Sequence, residues 1–301
     1  MDLETENSES CPCCGGTKLK IFRKSSDSAS SLKLDNFSAS SSARLRQALT
    51  SCRNCGLVFV SPMPDESDLL DAYSDNLEEI HSSENRNRIK SFKRVFTWLN
   101  TKELYLKNKT NYIADVGCAS GAFLICAENE GLRAIGFEPS KTLASMAQNE
   151  YGLNVINGIF TSAPFSKDKL DMVTLWDVLE HIVKPDSLIK EISNSLKSRG
   201  LLLINIPLLD SFAARVLRKF WPFYLDVHVL YFKKKNLIKY VEFHGFRYLE
   251  SKSYWQTLSV GYLISRYVRL PMYLNSFLEN IPFRYNMGQK TFLFMKEQET
   301  Q

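Results

Sequence analysis

The chain has 301 residues, 44% of them hydrophobic and 24% charged, the proportions of a globular protein that can bury one large core and carry an appendage. A formal net charge of +5 is mild: it argues against a dedicated nucleic-acid binder and suits anionic small molecules or a lipid surface. The opening MDLETENSES has neither the basic nor the apolar region of a secretory signal, and no run of roughly 18 apolar residues occurs, so a cytoplasmic protein is expected.

Five of the seven cysteines stand in the first 55 residues. Cys11-x-x-Cys14-Gly15 and Cys52-x-x-Cys55-Gly56 form two knuckles. A two-residue gap lets both sulfurs of a knuckle reach one ion, and the glycine after it permits the tight turn. Four thiolates predict a structural Zn2+ held by Cys11, Cys14, Cys52 and Cys55, with no coordination position left for a substrate and with Cys13 as the spare thiol. The separation of the knuckles is explained by Ser-rich stretches at 25–31 and 38–42, read as a surface loop. Residues 1–62 therefore read as a small zinc-ribbon-like module, closed by Ser61-Pro62-Met63-Pro64. Residues 63–110 read as a helical linker or cap, because Ile89, Phe92, Val95, Phe96 and Leu99 follow the helical period.

From residue 111 onward strands and helices alternate. The pattern predicts strands at 112–116, 134–138, 154–156, 170–175 and 201–206, with helices ending at Gly131, near Gly152 and at Arg199-Gly200, the last N-capped by Asp186. A helix at 234–244 and strands at 246–253 and 290–295 follow. The fold class is α/β: a doubly wound, mostly parallel, seven-stranded Rossmann-like sheet over 111–301, with cap insertions around 208–230 and 254–285.

The first strand runs into Asp115-Val-Gly117-Cys118-Ala119-Ser-Gly121. A dinucleotide loop would be G-x-G-x-x-G, but Ala119 occupies the middle glycine position and would hinder close approach of a pyrophosphate. Asp115 would repel a pyrophosphate and attract an ammonium group. Glu138, ending the second strand, can accept hydrogen bonds from both hydroxyls of a ribose. These features favour S-adenosylmethionine (SAM) over NAD. With G-F-E-P-S at 136–140 and L-D-M-V-T-L-W-D-V-L-E-H-I-V-K-P at 170–185, the sequence resembles class I SAM-dependent methyltransferases over about residues 111–296. The resemblance implies that Asp115, Gly117, Cys118, Ala119, Gly121, Glu138, Trp176 and Asp177 surround the cofactor, the last two on its methionine side. The four-cysteine module is similar to that of relatives of sugar C-methyltransferases and polysaccharide-cluster methyltransferases. This chain departs from their pattern in three places. Ile159 stands where many relatives place an acidic residue toward adenine; Val227 stands where sugar C-methyltransferases carry Glu; and the long C-terminal extension of those enzymes is not expected after residue 301.

Methyl transfer is a displacement at a sulfonium methyl, so the protein must orient a nucleophile and remove its proton. Histidine suits that task. His181 follows the fourth strand, at the sheet edge where ligands bind, and His228 lies in the stretch that in this family covers the substrate pocket. His228 and His181 are the candidate catalytic residues. His244, before Gly245, reads as a helix-terminus residue, and His81 has no supporting motif. The expected reaction is methyl transfer from SAM to a small-molecule or glycan acceptor, such as a nucleotide- or lipid-linked sugar. An RNA methyltransferase gripping nucleic acid through the zinc module is an alternative, opposed by L-W-D-V-L where base-amine methyltransferases carry Asn/Asp-Pro-Pro-Tyr. A non-catalytic SAM-binding scaffold is another. The basic, aromatic segments 212–225 and 254–273 read first as a cap over the sheet and second as a peripheral membrane contact. The sequence gives no indication of oligomeric state.

Overall fold

The structure, a computed structural model, describes residues 10–25, 47–69, 84–102, 112–160, 169–265 and 277–298. In chain order come β1 (Leu19–Arg23), β2 (Leu49–Cys52), β3 (Val58–Val60), α1 (Asn85–Asn100), β4 (Tyr112–Val116), α2 (Ala122–Asn129), β5 (Arg133–Glu138), α3 (Lys141–Tyr151), β6 (Val155–Asn157) and β7 (Leu170–Trp176). They are followed by a 3-10 turn (Leu179–His181), α4 (Pro185–Ser195), β8 (Leu196–Pro207), α5 (Phe212–Leu217), β9 (Leu230–Tyr231) and α6 (Lys234–Phe243). β10 (Phe246–Ser253), β11 (Gln256–Ser259), α7 (Val260–Ser265), β12 (Pro282–Tyr285) and β13 (Gln289–Lys296) complete the chain. The Ser-rich stretches 25–31 and 38–42 and His81 lie almost wholly outside the described residues.

Seven strands form the main sheet in the order β10-β13-β8-β7-β4-β5-β6. The five strands from β8 to β6 are parallel, and β13 inserts antiparallel between β10 and β8. Both faces of the central strands are buried, which is why they read as unbroken apolar runs. Successive residues serve opposite faces: Leu202 and Ile204 join Ala114, Val173 and Phe292 on one side, Leu201 and Leu203 join Ile113, Met172 and Leu293 on the other. The sheet order reverses between β4 and β7, and the crevice at their carboxyl ends is where an open α/β sheet binds its ligand.

The structure corrects two boundaries. Asp186 is not the N-cap of α4: Lys184 holds that position, Pro185 starts the helix and Asp186 lies in its first turn, beside the positive end of the dipole. Nor does α4 reach Arg199-Gly200. It stops at Ser195 because Leu196 is fully buried opposite Leu170 and begins β8, whose residues 197–200 bulge before pairing resumes at Met172↔Leu201.

The cysteine-rich segment is not set apart from the main body. β1, β2 and β3 form a small antiparallel sheet whose fourth strand is β9, with Val58 opposite Tyr231 and Phe59 opposite Leu230. Leu49, Val58 and Phe59 belong to the same apolar cluster as Val173, Ile204 and Phe292 of the main sheet. Among the described residues, no helix is long and apolar enough to cross a membrane.

Candidate active site

The glycine loop leaves β4 at Val116 and enters α2 at Ala122. Three of its residues take positive φ: Gly117 (68°), Ala119 (49°) and Gly121 (86°). Gly117 and Cys118 both donate backbone N–H groups to Phe137 O, at 2.8 and 3.1 Å, which clamps the loop to the end of β5. Glu138 completes the clamp: one carboxylate oxygen accepts from Ala119 N (2.9 Å) and the other from Ser140 N (2.8 Å). Each oxygen keeps lone-pair capacity for a further donor, as two ribose hydroxyls require. The side chain of Cys118 is buried against Gly136, so this residue can serve a ligand only through its backbone. Of the loop's two glycines, Gly121 leaves the less room for a side chain. A Cβ there would meet Leu153 Cδ1, in a conformation that costs an L-residue about 1–2 kcal/mol. Gly121→Ala is expected to lower unfolding free energy by about 1–3 kcal/mol and to weaken SAM binding, measured by urea denaturation and calorimetry.

Asp115 is 1% exposed and accepts a 2.6 Å hydrogen bond from Thr174 Oγ1. Burial pushes its carboxyl up to about 8, and burial likewise pushes Glu138 up to about 7. On the far side of the crevice Trp176 packs against Phe92, Phe123 and Tyr254 at 5.0, 5.3 and 5.7 Å between ring centroids. Asp177, at φ 56°, is held by Asn205 Nδ2 and Gln289 Nε2, each at 2.8 Å; burial raises it to about 6 against these bonds and the charge of Arg88. Three buried polar atoms around this crevice, Trp176 Nε1, Arg88 Nε and Gln289 Oε1, have no hydrogen-bond partner among the described residues. The buried carboxyls of Asp115 and Glu138, two free donors and a free acceptor fit a ligand bearing an ammonium, a carboxylate and a ribose, as SAM does.

His181 and His228 come together, with ring centroids 4.6 Å apart and planes at 85°. His181 is partly buried; its Nδ1 lies 2.8 Å from Val227 O, and burial lowers its pKa to about 4. His228 is buried, parallel to Phe223 at 6.1 Å and near Tyr231 at 6.2 Å. Glu180 is 1% exposed beside them, pushed well above the usual carboxylate range by burial and by Asp177. His244 caps α6 with Nδ1 2.8 Å from Tyr240 O, a structural position as expected.

The four cysteine sulfurs lie within 4.8 Å of one another, with Cys11 Sγ 3.5 Å from Cys55 Sγ and Cys14 Sγ 3.6 Å from Cys52 Sγ. Tetrahedral Zn–S bonds of about 2.3 Å would set sulfurs about 3.8 Å apart, so the cluster can hold an ion with little movement. Cys13 is outside the cluster and buried in the core.

Several residues of the site carry no sequence signal. Asn85, at the start of α1, exchanges hydrogen bonds with Ser120 of the glycine loop (Asn85 Nδ2 to Ser120 O, 3.1 Å; Ser120 Oγ to Asn85 Oδ1, 2.6 Å). Asn205 and Gln289 position Asp177 from β8 and β13, and Asn157 Nδ2 holds Glu138 O and Pro139 O at 2.9 Å. Single polar residues brought together across long loops have no spacing to betray them.

Fold and crevice together define a class I Rossmann-like nucleotide-binding architecture with the acidic loop of a SAM site. Residues 85–251 match a family model described as a methyltransferase domain, more than half of the chain, and the chain belongs to that family; it is a class I SAM-dependent methyltransferase. It is also similar to the ubiquinone biosynthesis O-methyltransferase of Glaesserella parasuis serovar 5 (strain SH0165), with 30% identity over 118 residues, 34% of this chain and 49% of that protein. The chain thus spans about half the length of this relative. Among solved structures it is similar to a SAM-dependent methyltransferase of Thermotoga maritima (20% identity, 73% of this chain and 91% of that one, TM-score 0.46). It is similar also to the SAM-bound magnesium protoporphyrin IX methyltransferase of Synechocystis PCC 6803 (14% identity, 70% and 80%, TM-score 0.45).

Proposed function

We propose that the chain transfers the SAM methyl group to a hydroxyl of a small-molecule or glycan acceptor, with His228 and His181 activating that hydroxyl. The observation that carries this reading is the pairing of the two histidines, 4.6 Å apart, on the segments that follow β7 and precede β9, at the ligand-binding edge of the sheet beyond Trp176-Asp177. An oxygen acceptor is favoured by the O-methyltransferase relative. In this reading Asp115 faces the α-ammonium of SAM, Glu138 accepts from the ribose, the backbone of Gly117, Cys118, Ala119 and Gly121 carries the methionine and ribose, and Trp176 and Asp177 wall the methionine side. Cys11, Cys14, Cys52 and Cys55 hold a structural Zn2+.

A cleft of about 650 Å³, lined by Arg23, Arg215, Arg218, Lys219 and Lys233 around Asp210, supports a narrower acceptor class. Tyr224 forms part of its wall, next to Phe223, which covers His228. Five cations against one acid suit an acceptor that carries phosphate, whether linked to a nucleotide or to a lipid. Phe212 and Phe220, 83% and 57% exposed on the same segment, suit the lipid-linked case. A screen of nucleotide-linked and lipid-linked sugars for methyl transfer from SAM tests the reading. With the acceptor so found, His228→Ala is expected to lower kcat by about 10²–10⁴-fold at saturating substrate. An unchanged kcat would remove His228 from the chemistry.

A further inference from the structure

We propose that Glu180, His181 and His228 bind one divalent transition-metal ion, a second metal site separate from the four cysteines. Each residue offers one ligand atom, and the three atoms lie within 4.8 Å of one another. Metal–ligand bonds of about 2.0–2.2 Å place two ligands of one ion at most about 4.4 Å apart, so the cluster closes around an ion by small side-chain rotations.

The donors are pre-set by their backbone. Glu180 and His181 sit on the 3-10 turn after β7, and His228 lies two residues before β9. The two segments are tied twice, by Val229 N to Glu180 O at 2.8 Å and by His181 Nδ1 to Val227 O at 2.8 Å. The second bond also fixes chemistry. A carbonyl accepts only from N–H, so Nδ1 of His181 carries the proton and Nε2 keeps the lone pair that ligates a metal, the arrangement metal-binding histidines commonly show.

Glu180 supplies the independent observation. Its side chain is 1% exposed, and among the described residues neither carboxylate oxygen finds a hydrogen-bond partner on another residue. Burying a carboxyl group with no partner is costly, and a cation between it and two imidazoles satisfies it. Neighbouring Asp177 does not compete, since Asn205 and Gln289 already hold it. Two imidazoles and one carboxylate are borderline donors suited to Zn2+, Co2+, Mn2+ or Fe2+, and three protein ligands leave open positions. His181 is the partly exposed member of the three.

This site deepens the function proposed above and, in its chemical role, rests on it. An acceptor hydroxyl coordinated there becomes acidic near neutral pH and gives its proton to water. The alkoxide oxygen then forms the C–O bond as the S–CH3 bond of SAM breaks, and the bonding pair leaves on sulfur as S-adenosylhomocysteine.

The test is a Co2+ titration of the full chain, its cysteine site already loaded with Zn2+, followed by visible absorption. The expected result is one further equivalent whose spectrum lacks thiolate-to-cobalt charge transfer. Glu180→Gln and His181→Asn should each weaken it about tenfold or more, while SAM binding by calorimetry stays near wild type and shows that the fold is intact. Uptake of cobalt only with thiolate character overturns the site. So does a further equivalent that both variants retain at wild-type affinity. Cobalt bound as expected, with no hydroxyl acceptor ever methylated, supports the site and overturns the acceptor reading alone.

Discussion

Glu138→Ala is expected to weaken SAM binding by at least about 100-fold, roughly 3 kcal/mol, in a calorimetric titration. Two losses combine. The carboxylate would no longer accept from ribose hydroxyls, and hydrogen bonds to a charged group are worth about 1.5–3 kcal/mol each. The backbone N–H groups of Ala119 and Ser140, now bonded to Glu138 at 2.9 and 2.8 Å, would also lose their acceptor, loosening a glycine loop that only Phe137 O would still tie to the end of β5. Glu138→Gln keeps the shape and one acceptor oxygen, so its loss should be smaller. Wild-type affinity in Glu138→Ala would show that the ribose is held elsewhere.

The same residues make binding pH-dependent, with a definite sign. Burial raises Glu138 to about 7 and Asp115 to about 8, above the usual carboxylate values. The folded chain therefore holds protons that the unfolded chain has released, and unfolding free energy should fall as pH rises from about 4 to about 8, by up to about 1.4 kcal/mol per pH unit for each group. An ammonium near Asp115 and hydroxyls donating to Glu138 favour the charged forms. SAM binding should then expel on the order of one proton near pH 6.5 and tighten toward pH 8. Calorimetry in buffers of differing ionisation enthalpy reads the proton directly, and net uptake would contradict the assignment.

What could be read in advance divides by range along the chain. The β/α alternation, the glycine loop and the acid at the end of β5 are local patterns, and all lie where the period and turn chemistry place them. The end of α4 could not be read locally, because Leu196 leaves the helix for a partner on β7, Leu170, that has no signature near Ser195. The same holds for Asn85 against Ser120 and for Gln289 against Asp177, single pairs separated by 35 and 112 residues. The union of β3 with β9 lay furthest from view: a three-residue and a two-residue strand have almost no periodicity, yet their pairing joins the cysteine-rich sheet to the segment that carries His228.

If the four cysteines hold the proposed ion, that union links it to the segment carrying His228. Cys14 is exposed, so Cys14→Ser removes one proposed zinc ligand and almost no packing. Loss of the ion should loosen both knuckles, whose backbones are closed by Gly15 N to Cys11 O and Gly56 N to Cys52 O at 2.8 and 2.9 Å. The disturbance has a short route to the active site. β2 carries Cys52 and pairs with β3; β3 pairs with β9; and Val60 N bonds Val229 O, next to His228, at 3.0 Å. The glycine loop lies on the main sheet and, among the described residues, shares no strand pairing with this route. Cys14→Ser should therefore lose zinc and several kcal/mol of stability, and its kcat should fall by about 10²-fold, the scale of a displacement near 1 Å at a reacting group, while its affinity for SAM changes little. Zinc content by elemental analysis, thermal unfolding, SAM calorimetry and turnover on the same preparation separate these effects. A variant that has lost its zinc but keeps full kcat would show that the cysteine sheet does not position His228.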